Sequence, residues 1–243
     1  MPLAVLHLDD DVLAVDKPPG RIVIPGRGVP EPTLQEEAQA AYGRLWVVHR
    51  LDRGTSGVLL FARSAAAHRA LNLAFDGREV LKVYLALVRG TPPPRARLEG
   101  AIAPARRGRM RIAAPGEARG RPAVTLVERL EAFAASPPLP ALALVEVRPE
   151  TGRTHQIRVH LAAAGTPLAV DPAYGDPGPL LDGAGTPLLS RTPLHALSVE
   201  LPHPSTGRRL RVEAPVPDDL ARALAAARAA IRPRGGSGPG AAG

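Results

Sequence analysis

An acidic side chain flanked by arginines stands in the segment VVHRLDRGTSG, residues 47–57. Asp52 lies between Arg50 and Arg53 and between two apolar runs, which predicts a turn that joins two buried strands. A turn aspartate usually only accepts hydrogen bonds from backbone N–H groups. A carboxylate in a cleft can also stabilise or attack an electron-poor carbon, such as the anomeric carbon of a sugar. Asp52 is therefore the first candidate for chemistry, and the rest of the chain must decide between these two interpretations.

A lysine and a tyrosine form a second candidate pair in the segment LKVYLALVRG. Lys82 and Tyr84 are two residues apart, so on the predicted strand their side chains point to the same face. Such a pair commonly lies on the solvated face of a sheet. A tyrosine ring can also stack with a nucleobase, at about 1–3 kcal/mol per base. Because the chain has only three Phe, three Tyr and one Trp, we expect stacking with one base rather than with many.

The third candidate group is polar and opens a predicted helix in the segment TGRTHQIRVHLAAAG. Its polar residues are Arg153, His155, Gln156, Arg158 and His160. Thr154 is the expected N-cap and Gly165 the expected stop, with His155 and Arg158 one turn apart on one face. Such a helix start either binds an anion or is merely capped. His155 and His160 are five residues apart with no glutamate between them, which argues against the zinc motif H-E-x-x-H, and we predict no metal site.

Short apolar runs separated by turn signals predict the elements that carry these groups. Residues 3–18 contain two β-type runs typical of a hairpin, and the Pro- and Gly-rich residues 17–32 indicate a loop. Helices are predicted after Thr33, where Glu36 completes a capping box, and after Ser64.

The second half of the pattern adds strands and one irregular stretch. Strands are predicted over 79–90, 123–133 and 141–149, and a strand pair over 195–215 across the turn STGR. Residues 91–122 lose any pattern among Pro, Gly and Arg; their run RRGRMR is either a phosphate-binding segment or a solvated loop. Meandering strands with a few helices predict an α+β fold with an antiparallel or mixed sheet.

The composition favours a nucleic acid as partner and excludes cysteine chemistry. The 243 residues carry 31 Lys+Arg against 23 Asp+Glu, a formal net charge of +8, and such an excess favours a polyanionic ligand. Without cysteine the chain has no disulfide, thiol nucleophile or thiolate metal site. The first residues lack the features of a signal peptide, and no apolar run is long enough to span a membrane. We therefore expect a cytoplasmic monomer that does not engage a membrane.

In this order and spacing, the motifs closely resemble those of the RluA-type pseudouridine synthase family. The resemblance covers about residues 5–220, and the quoted motifs are VDKPPG, HRLDRGTSGVLLFA, KVYLALVRG, TGRTHQIRVHLAAAGTPLAVDPAYG and LHALSVELPHPSTG. The most specific part is HRLDRGTSG followed about a hundred residues later by TGRTHQIRVH. One departure is Val170, where the family usually has a glycine before the aspartate; it affects backbone approach at that point and not the chemistry.

The resemblance implies a fold, a reaction and roles for the residues. The fold is a curved mixed or antiparallel sheet with flanking helices and a central basic cleft, and the reaction converts uridine in RNA to pseudouridine without a cofactor or a metal. By resemblance, Asp52 acts on the uridine and Arg158 pairs with it. Tyr84 stacks with the flipped base and assists removal of its C5 proton, Leu194 lies opposite, and Arg50 fills the gap that the base leaves. The other residues predicted to bind substrate are His49, Thr55, Arg153, His155 and Gln156.

The predicted domain organisation is simple. Residues 1–220 are expected to form the catalytic domain, without a separate S4-type RNA-binding domain. A C-terminal helix is predicted over 221–231 and a disordered tail over 232–243, where Gly, Pro and Ala dominate.

Two other classes of function remain open at this point. One is a catalytically silent RNA-binding or ribosome-assembly module on the same fold, although such a module would not need intact Asp52, Tyr84 and Arg158. The other is a nucleoside hydrolase or glycosidase, but such sites use a second carboxylate, and the motifs offer arginine instead. The sequence thus favours an RNA pseudouridine synthase acting on rRNA, tRNA or both.

Overall fold

A large mixed sheet dominates the computed structural model, which describes residues 3–26 and 32–230. Its ten strands are β1 Ala4–Leu8, β2 Val12–Lys17, β3 Trp46–Val47, β4 Ser56–Ala62, β5 Leu81–Arg89, β6 Arg95–Glu99, β9 Val124–Phe133, β10 Leu142–Pro149, β13 Leu194–Pro202 and β14 Arg209–Glu213. Two small hairpin sheets add β7 Ile102–Pro104 with β8 Met110–Ile112, and β11 Leu180–Leu181 with β12 Pro187–Leu189. The order in the large sheet is β1-β2-β4-β13-β5-β10-β9-β6, with β3 beside β4 and β14 beside β13. The predicted hairpins β1–β2 and β13–β14 and the predicted sheet class are confirmed.

One parallel pairing within the described sheet decides where the site forms. β4 and β13 run parallel, with His195 beside Ser56 and Ala196 beside Gly57. Gly57 has φ +107°, and a Cβ atom there would lie 2.2 Å from the Ala196 carbonyl oxygen, so this glycine permits the close pairing. The pairing places the turn that precedes β4, which carries Asp52, beside the start of β13, which carries Leu194.

Four helices are described: α1 Leu34–Tyr42, α2 Ala65–Asp76, α3 Gln156–Ala163 and α4 Asp218–Ala230. The capping box of Thr33 and Glu36 is confirmed, as is the Ser64 cap on α2. The predicted Thr154 cap on α3 is wrong. His155 occupies the N-cap position in the left-handed conformation, with φ 54°, and its side chain does not cap the helix. The ring is instead bonded to a distant part of the chain, as described below.

The helices cover both faces of the sheet, and the alternation of strand side chains explains how. On β2 and β4, one set of alternate residues packs with α2 and the other set packs with α1. On β5, Leu85 and Leu87 pack with α4, whereas Ala86 and Val88 pack with Ile157 of α3. The sheet is therefore buried on both sides, and the strand ends that carry polar residues meet in the cleft between these layers.

The irregular stretch expected over residues 91–122 is wrong for much of its length. Residues 95–99 form β6, which pairs with β9, and residues 102–112 form the β7–β8 hairpin around a short turn at Arg106–Gly108. The side chain of Ile102 is buried and Ile112 packs against it. Strands of three to five residues interrupted by Pro and Gly carry too little periodicity to be recognised, and they gain their order from pairing partners.

The C-terminal helix begins at Asp218, slightly before the predicted start, and buries Leu220, Ala223, Leu224 and Ala227 against the core. The predicted tail over 232–243 and part of the predicted loop, residues 27–31, lie outside the described residues. None of the described helices is long and apolar enough to cross a membrane.

Candidate active site

All ten residues predicted for the site line one open cleft of about 1340 Å³. They are His49, Arg50, Asp52, Thr55, Tyr84, Arg153, His155, Gln156, Arg158 and Leu194. Four separate segments contribute them: the stretch before β4, β5, the start of α3 and the start of β13. The fold thus brings together residues that lie in segments distant from one another in the sequence.

Asp52 is held in place by a hydrogen bond to its backbone carbonyl and by contacts to one of its two carboxylate oxygens. The Thr55 N–H donates to the Asp52 carbonyl oxygen at 3.0 Å, which shapes the turn. Arg158 Nη1 donates to Asp52 Oδ2 at 3.2 Å, and His155 Nε2 lies 3.8 Å from the same oxygen. Within the described residues, Oδ1 accepts no hydrogen bond from the protein. The side chain is 29% exposed, so a ligand in the cleft can reach this second oxygen.

Arg158 contacts Asp52 through a single nitrogen, and its forked pair is made with another residue. Arg158 forms its fork with Asp171, through Nε to Oδ2 at 2.8 Å and Nη2 to Oδ1 at 2.7 Å. Only the remaining nitrogen, Nη1, reaches Asp52. The guanidinium is nearly buried and also lies 5.0 Å from the centre of the Tyr174 ring. Arg158 therefore carries a fixed positive charge into the cleft, oriented by Asp171 rather than by Asp52.

Asp171 is a functional residue that the sequence reasoning missed. Its side chain is 1% exposed, and its Oδ1 also accepts hydrogen bonds from the N–H groups of Ala173 and Tyr174 at 2.9 and 3.2 Å. Burial opposes ionisation of this carboxyl, but the Arg158 pair and the two N–H groups outweigh burial and hold its pKa below the usual range. The motif VDPAYG contained a signal for this residue. Its aspartate follows an apolar run and precedes a turn, and a carboxylate buried at such a place needs a hydrogen-bonding or charged partner.

Tyr84 and Leu194 form the apolar part of the cleft. Both pack in the cluster between the sheet and α3, and β5 and β13 are neighbouring strands. Burial and the charge of Asp52 raise the pKa of Tyr84 far above its usual value. The phenol is therefore neutral at physiological pH, and its ring offers a flat surface beside the carboxylate.

His155 and Tyr174 connect the site to the β7–β8 hairpin. The Tyr174 hydroxyl lies 2.7 Å from His155 Nδ1 and accepts a hydrogen bond from the Met110 N–H at 2.7 Å. Burial lowers the pKa of His155; the charge of Asp52 opposes this shift and that of Arg158 adds to it. Tyr174 was not predicted, because nothing in the local sequence links it to a histidine on another element.

Three of the predicted substrate-binding residues have their side chains or backbone engaged by the protein. His49 Nε2 accepts from the Leu60 N–H at 3.0 Å, and loss of hydration together with the charge of Lys82 lowers its pKa to about 4. Thr55 is buried. Gln156 donates to Val124 O and Thr125 Oγ1 and accepts from Thr151 Oγ1 and the Arg153 N–H. These contacts hold His49 and Gln156 in place in the walls of the cleft, where their predicted contact with substrate stays a prediction.

Lys17 is a second residue that the sequence reasoning missed. It is fully buried, and its Nζ donates to the carbonyl oxygens of Pro18, Arg53 and Thr55 at 3.0, 3.2 and 2.7 Å. Burial, opposed by the charge of Asp52, lowers the pKa of Lys17 to about 7. The ammonium group clamps the turn on the far side of Asp52, and a lysine at the end of a β-type run followed by two prolines was its only sequence signal.

The rim of the cleft is positively charged. Arg50 and Arg153 are both exposed there, and Arg153 Nε donates to the Pro122 carbonyl oxygen at 3.3 Å. An acidic centre surrounded by arginines is suited to a polyanionic ligand whose reacting part enters the cleft.

The sequence comparisons identify the family. Residues 11–163 match the model of the RNA pseudouridylate synthase family, which is more than half of the chain. The chain belongs to this family. Its activity is that of an RNA pseudouridine synthase, an isomerase that modifies RNA, and the family predicted from the motifs is confirmed.

Named relatives and solved structures agree with this assignment. The chain is 41% identical over 240 residues to ribosomal large subunit pseudouridine synthase D of Xanthomonas campestris pv. campestris, covering 94% of this chain and 70% of that protein. It is 39% identical to the protein of the same name from Nitrosomonas europaea, covering 94% of this chain and 66% of the relative, so about a third of that protein lies outside the match. Human RNA pseudouridylate synthase domain containing 4 superposes with a TM-score of 0.73 at 26% identity, covering 93% of both chains. Human RNA pseudouridylate synthase domain containing 1 gives 0.69 at 29% identity, covering 88% of this chain and 83% of the other.

Proposed function

We propose that this protein isomerises uridines of large-subunit ribosomal RNA and that Asp52 is the carboxylate that engages the sugar carbon C1′. The observation that carries the proposal is the Asp52 carboxylate itself, which is reachable from the cleft and held through a single oxygen by Arg158. The name shared by the bacterial relatives supports ribosomal RNA as the substrate over transfer RNA.

The reaction needs little more than a carboxylate and a place for the base. The N1–C1′ bond breaks, the uracil turns, C5 bonds to C1′, the C5 proton leaves and N1 gains a proton, so no atom is gained or lost. Positive charge that develops at C1′ is stabilised by, or captured by, a carboxylate beside it. Asp52 is the acidic residue that reaches into the cleft beside Arg158 and Tyr84, and it takes this role.

The apolar side of the cleft receives the uracil. Tyr84 provides the stacking surface and Leu194 covers the opposite face of the base. A base can enter only after it leaves its own stack, at a cost of a few kcal/mol that is smallest in loops and bulges. Arg50, exposed at the rim, is suited to occupy the space that the base vacates and to contact the neighbouring phosphates.

Because its raised pKa keeps the phenol protonated, Tyr84 cannot serve as a phenolate that is already formed. The main role that we assign to Tyr84 is therefore to provide a stacking surface for the base. Any transfer of the C5 proton through its oxygen requires a group that accepts the phenol proton in the same step.

We also propose that the protein acts in the cytoplasm as a monomer, with no cofactor and no metal. The described residues contain no group of three or more His, Asp or Glu side chains suited to hold a metal ion. The packing of α4 on the sheet supports a catalytic domain to which the predicted C-terminal helix belongs.

The test is tritium release from a large-subunit rRNA transcript labelled at uridine C5, with Asp52→Asn as the variant. The amide is nearly isosteric, so RNA affinity should persist while release falls by more than about 100-fold. Free uracil in the product would point to a nucleoside hydrolase, and binding without release by the wild-type chain would point to a catalytically silent module. Residual release above about 1% of wild type would remove Asp52 from its role.

A further inference from the structure

His155 occupies a left-handed backbone conformation, which is uncommon for residues other than glycine. Its φ of 54° is in the left-handed region, where the Cβ atom of an L-residue lies close to the following carbonyl oxygen. Residues held in such conformations cluster at functional sites, where the surrounding contacts outweigh the strain. Here those contacts are the Tyr174 hydroxyl on one ring nitrogen and the Asp52 carboxylate facing the other.

The two contacts together select one tautomer of the His155 ring. The Tyr174 oxygen already accepts the Met110 N–H, and its own proton is then best donated to Nδ1, 2.7 Å away. Nδ1 accepts, so the ring proton lies on Nε2. The opposite tautomer would direct a lone pair from Nε2 toward the negative charge of Asp52. Both neighbours therefore favour the tautomer whose N–H is on Nε2, the nitrogen that faces Oδ2.

We propose that His155 is a positioning residue that, with Arg158, holds Oδ2 of Asp52 and so leaves Oδ1 as the oxygen that engages C1′. The proposal rests on the role of Asp52 given above, and it differs from the substrate-binding role that the sequence predicted for His155. The present separation of 3.8 Å is longer than a hydrogen bond. Catalytic hydrogen bonds are often long before substrate binds and shorten in the complex.

The geometry explains why two donors on one oxygen are useful. A carboxylate that rotates freely presents either oxygen to the sugar, and a productive approach requires near-attack geometry. Arg158 is fixed by Asp171, and His155 is fixed through Tyr174 to the β7–β8 hairpin. Both donors are therefore anchored to other parts of the fold, so that Arg158 already holds Oδ2 and His155 adds its bond when the contact shortens in the complex.

The first experiment compares His155→Asn with His155→Gln in single-turnover tritium release at saturating protein. Asparagine tolerates the left-handed backbone but cannot reach Asp52, so we expect an unchanged fold and RNA affinity with a rate about tenfold lower, as for loss of one hydrogen bond to a charged group. Glutamine places an amide N–H near the position of Nε2, and we expect it to recover part of the rate. An unchanged rate in His155→Asn, or weakened RNA binding at an unchanged rate, would overturn the proposal.

The second experiment removes only the hydroxyl that fixes the tautomer. In Tyr174→Phe the ring over Arg158 remains, but Nδ1 loses its donor and can be protonated from water. The groups facing this imidazole are Asp52, Arg158 and Tyr174, with Asp171 behind Arg158. We expect a new acidic limb in the single-turnover rate, absent from the wild type, because protonation of Nδ1 becomes possible when the tyrosine hydroxyl no longer occupies it. Tyr42→Phe is the matched control, since Tyr42 lies on α1 outside the cleft, and it should match the wild type at every pH.

A third measurement needs no catalysis. The ¹⁵N spectrum of the histidine rings, with His155 assigned by its loss in His155→Asn, should show a neutral Nε2–H tautomer at neutral pH in the whole chain without RNA. An Nδ1–H tautomer or an imidazolium would overturn the proposal directly. If Asp52→Asn abolishes turnover while His155→Asn keeps the full rate, only this inference fails; if Asp52→Asn retains activity, the proposed function fails first.

Discussion

Arg158 binds Asp171 through both arms of its fork, at 2.8 and 2.7 Å, and reaches Asp52 with its third nitrogen at 3.2 Å. The buried Asp171 orients the Arg158 guanidinium, and the guanidinium in turn contacts Asp52. The two carboxylates are therefore not equivalent: Asp171 is buried and saturated with donors, whereas Asp52 is partly exposed and keeps one oxygen free of protein donors among the described residues. The difference is consistent with the proposal, in which Asp171 orients Arg158 and Asp52 engages the substrate.

Asp171→Asn should lower both stability and rate. Removing one partner of a buried pair costs about 3–5 kcal/mol, because Arg158 is left without its counter-charge. Asp171 has a lowered pKa in the folded state, so its contribution to stability is complete above its unfolded pKa of about 3.9 and is lost as pH falls through the lowered folded value. The difference in unfolding free energy between wild type and variant should therefore shrink below about pH 4.

Urea unfolding over a pH series measures this effect. Asp182→Asn is the control, since Asp182 has no ion-pair partner among the described residues and only accepts hydrogen bonds from N–H groups of its own turn. A difference that stays constant down to about pH 2 would contradict the assigned role of the Asp171 charge.

Arg158→Lys should fold less stably and turn over more slowly. Lysine keeps the charge but has no planar fork, so it cannot bind both oxygens of Asp171 and reach Asp52 at once. Loss of the bond to Asp52 should lower the single-turnover rate about 10–100-fold, as for a hydrogen bond to a charged group. The check is single-turnover tritium release beside a thermal melt, and a rate close to wild type would show that orientation by the fork is not needed.

The sequence predicted the main elements and the cleft residues, but not the partners of those residues. Apolar alternation and capping signals identified β2, β4, β5, α1 and α2. Each of these elements contains, within a few consecutive residues, the pattern of apolar and polar side chains that its buried face requires. The partner of Arg158 could not be chosen, since no local rule distinguishes between two aspartates that are distant in sequence. Likewise, Thr154 is a better cap by type than His155, and only the tertiary bond to Tyr174 explains why the helix begins where it does.

Lys17→Met should remove a pH-dependent part of the stability. The folded pKa of about 7 lies below the ordinary lysine value near 10.4, so between these limits the unfolded chain binds more protons than the folded chain. Stability from this group therefore rises with pH from about 7 to 10. Methionine does not titrate, so the unfolding free energy of wild type minus variant should increase over that range. A flat difference would show that the ammonium keeps its ordinary pKa when folded.

Chelators should leave turnover unchanged. The described residues hold no group of three or more side chains suited to bind a metal, and the isomerisation involves no net oxidation or reduction. The measurement is tritium release with and without EDTA, followed by addition of zinc or magnesium. Loss of activity that zinc restores, but that magnesium acting only on RNA folding does not, would contradict the mechanism.

The arginine run at 106–111 should contribute unequally to RNA binding, in contrast to the four equal phosphate contacts that its sequence allowed. Arg111 is paired with Glu117 through two bonds at 2.8 and 2.9 Å, and Arg109 donates to the Pro172 carbonyl oxygen. Arg106 and Arg107 are exposed at the tip of the β7–β8 hairpin, without an ion pair among the described residues. We therefore expect these two to supply most of the electrostatic attraction.

Replacing Arg106 and Arg107 together by alanine should flatten the slope of log K against log salt concentration by up to about 1.8, because each phosphate that an arginine neutralises adds about 0.9 to that slope. The matched control is Arg209 and Arg211 replaced together, since glutamates already pair with both and their removal should leave the slope nearly unchanged. Filter binding of the rRNA transcript over a salt series gives both slopes. Equal slopes in wild type and the Arg106/Arg107 variant would show that this hairpin tip is a solvated loop. The electrostatic contacts with RNA would then have to come from the arginines at the rim of the Asp52 cleft.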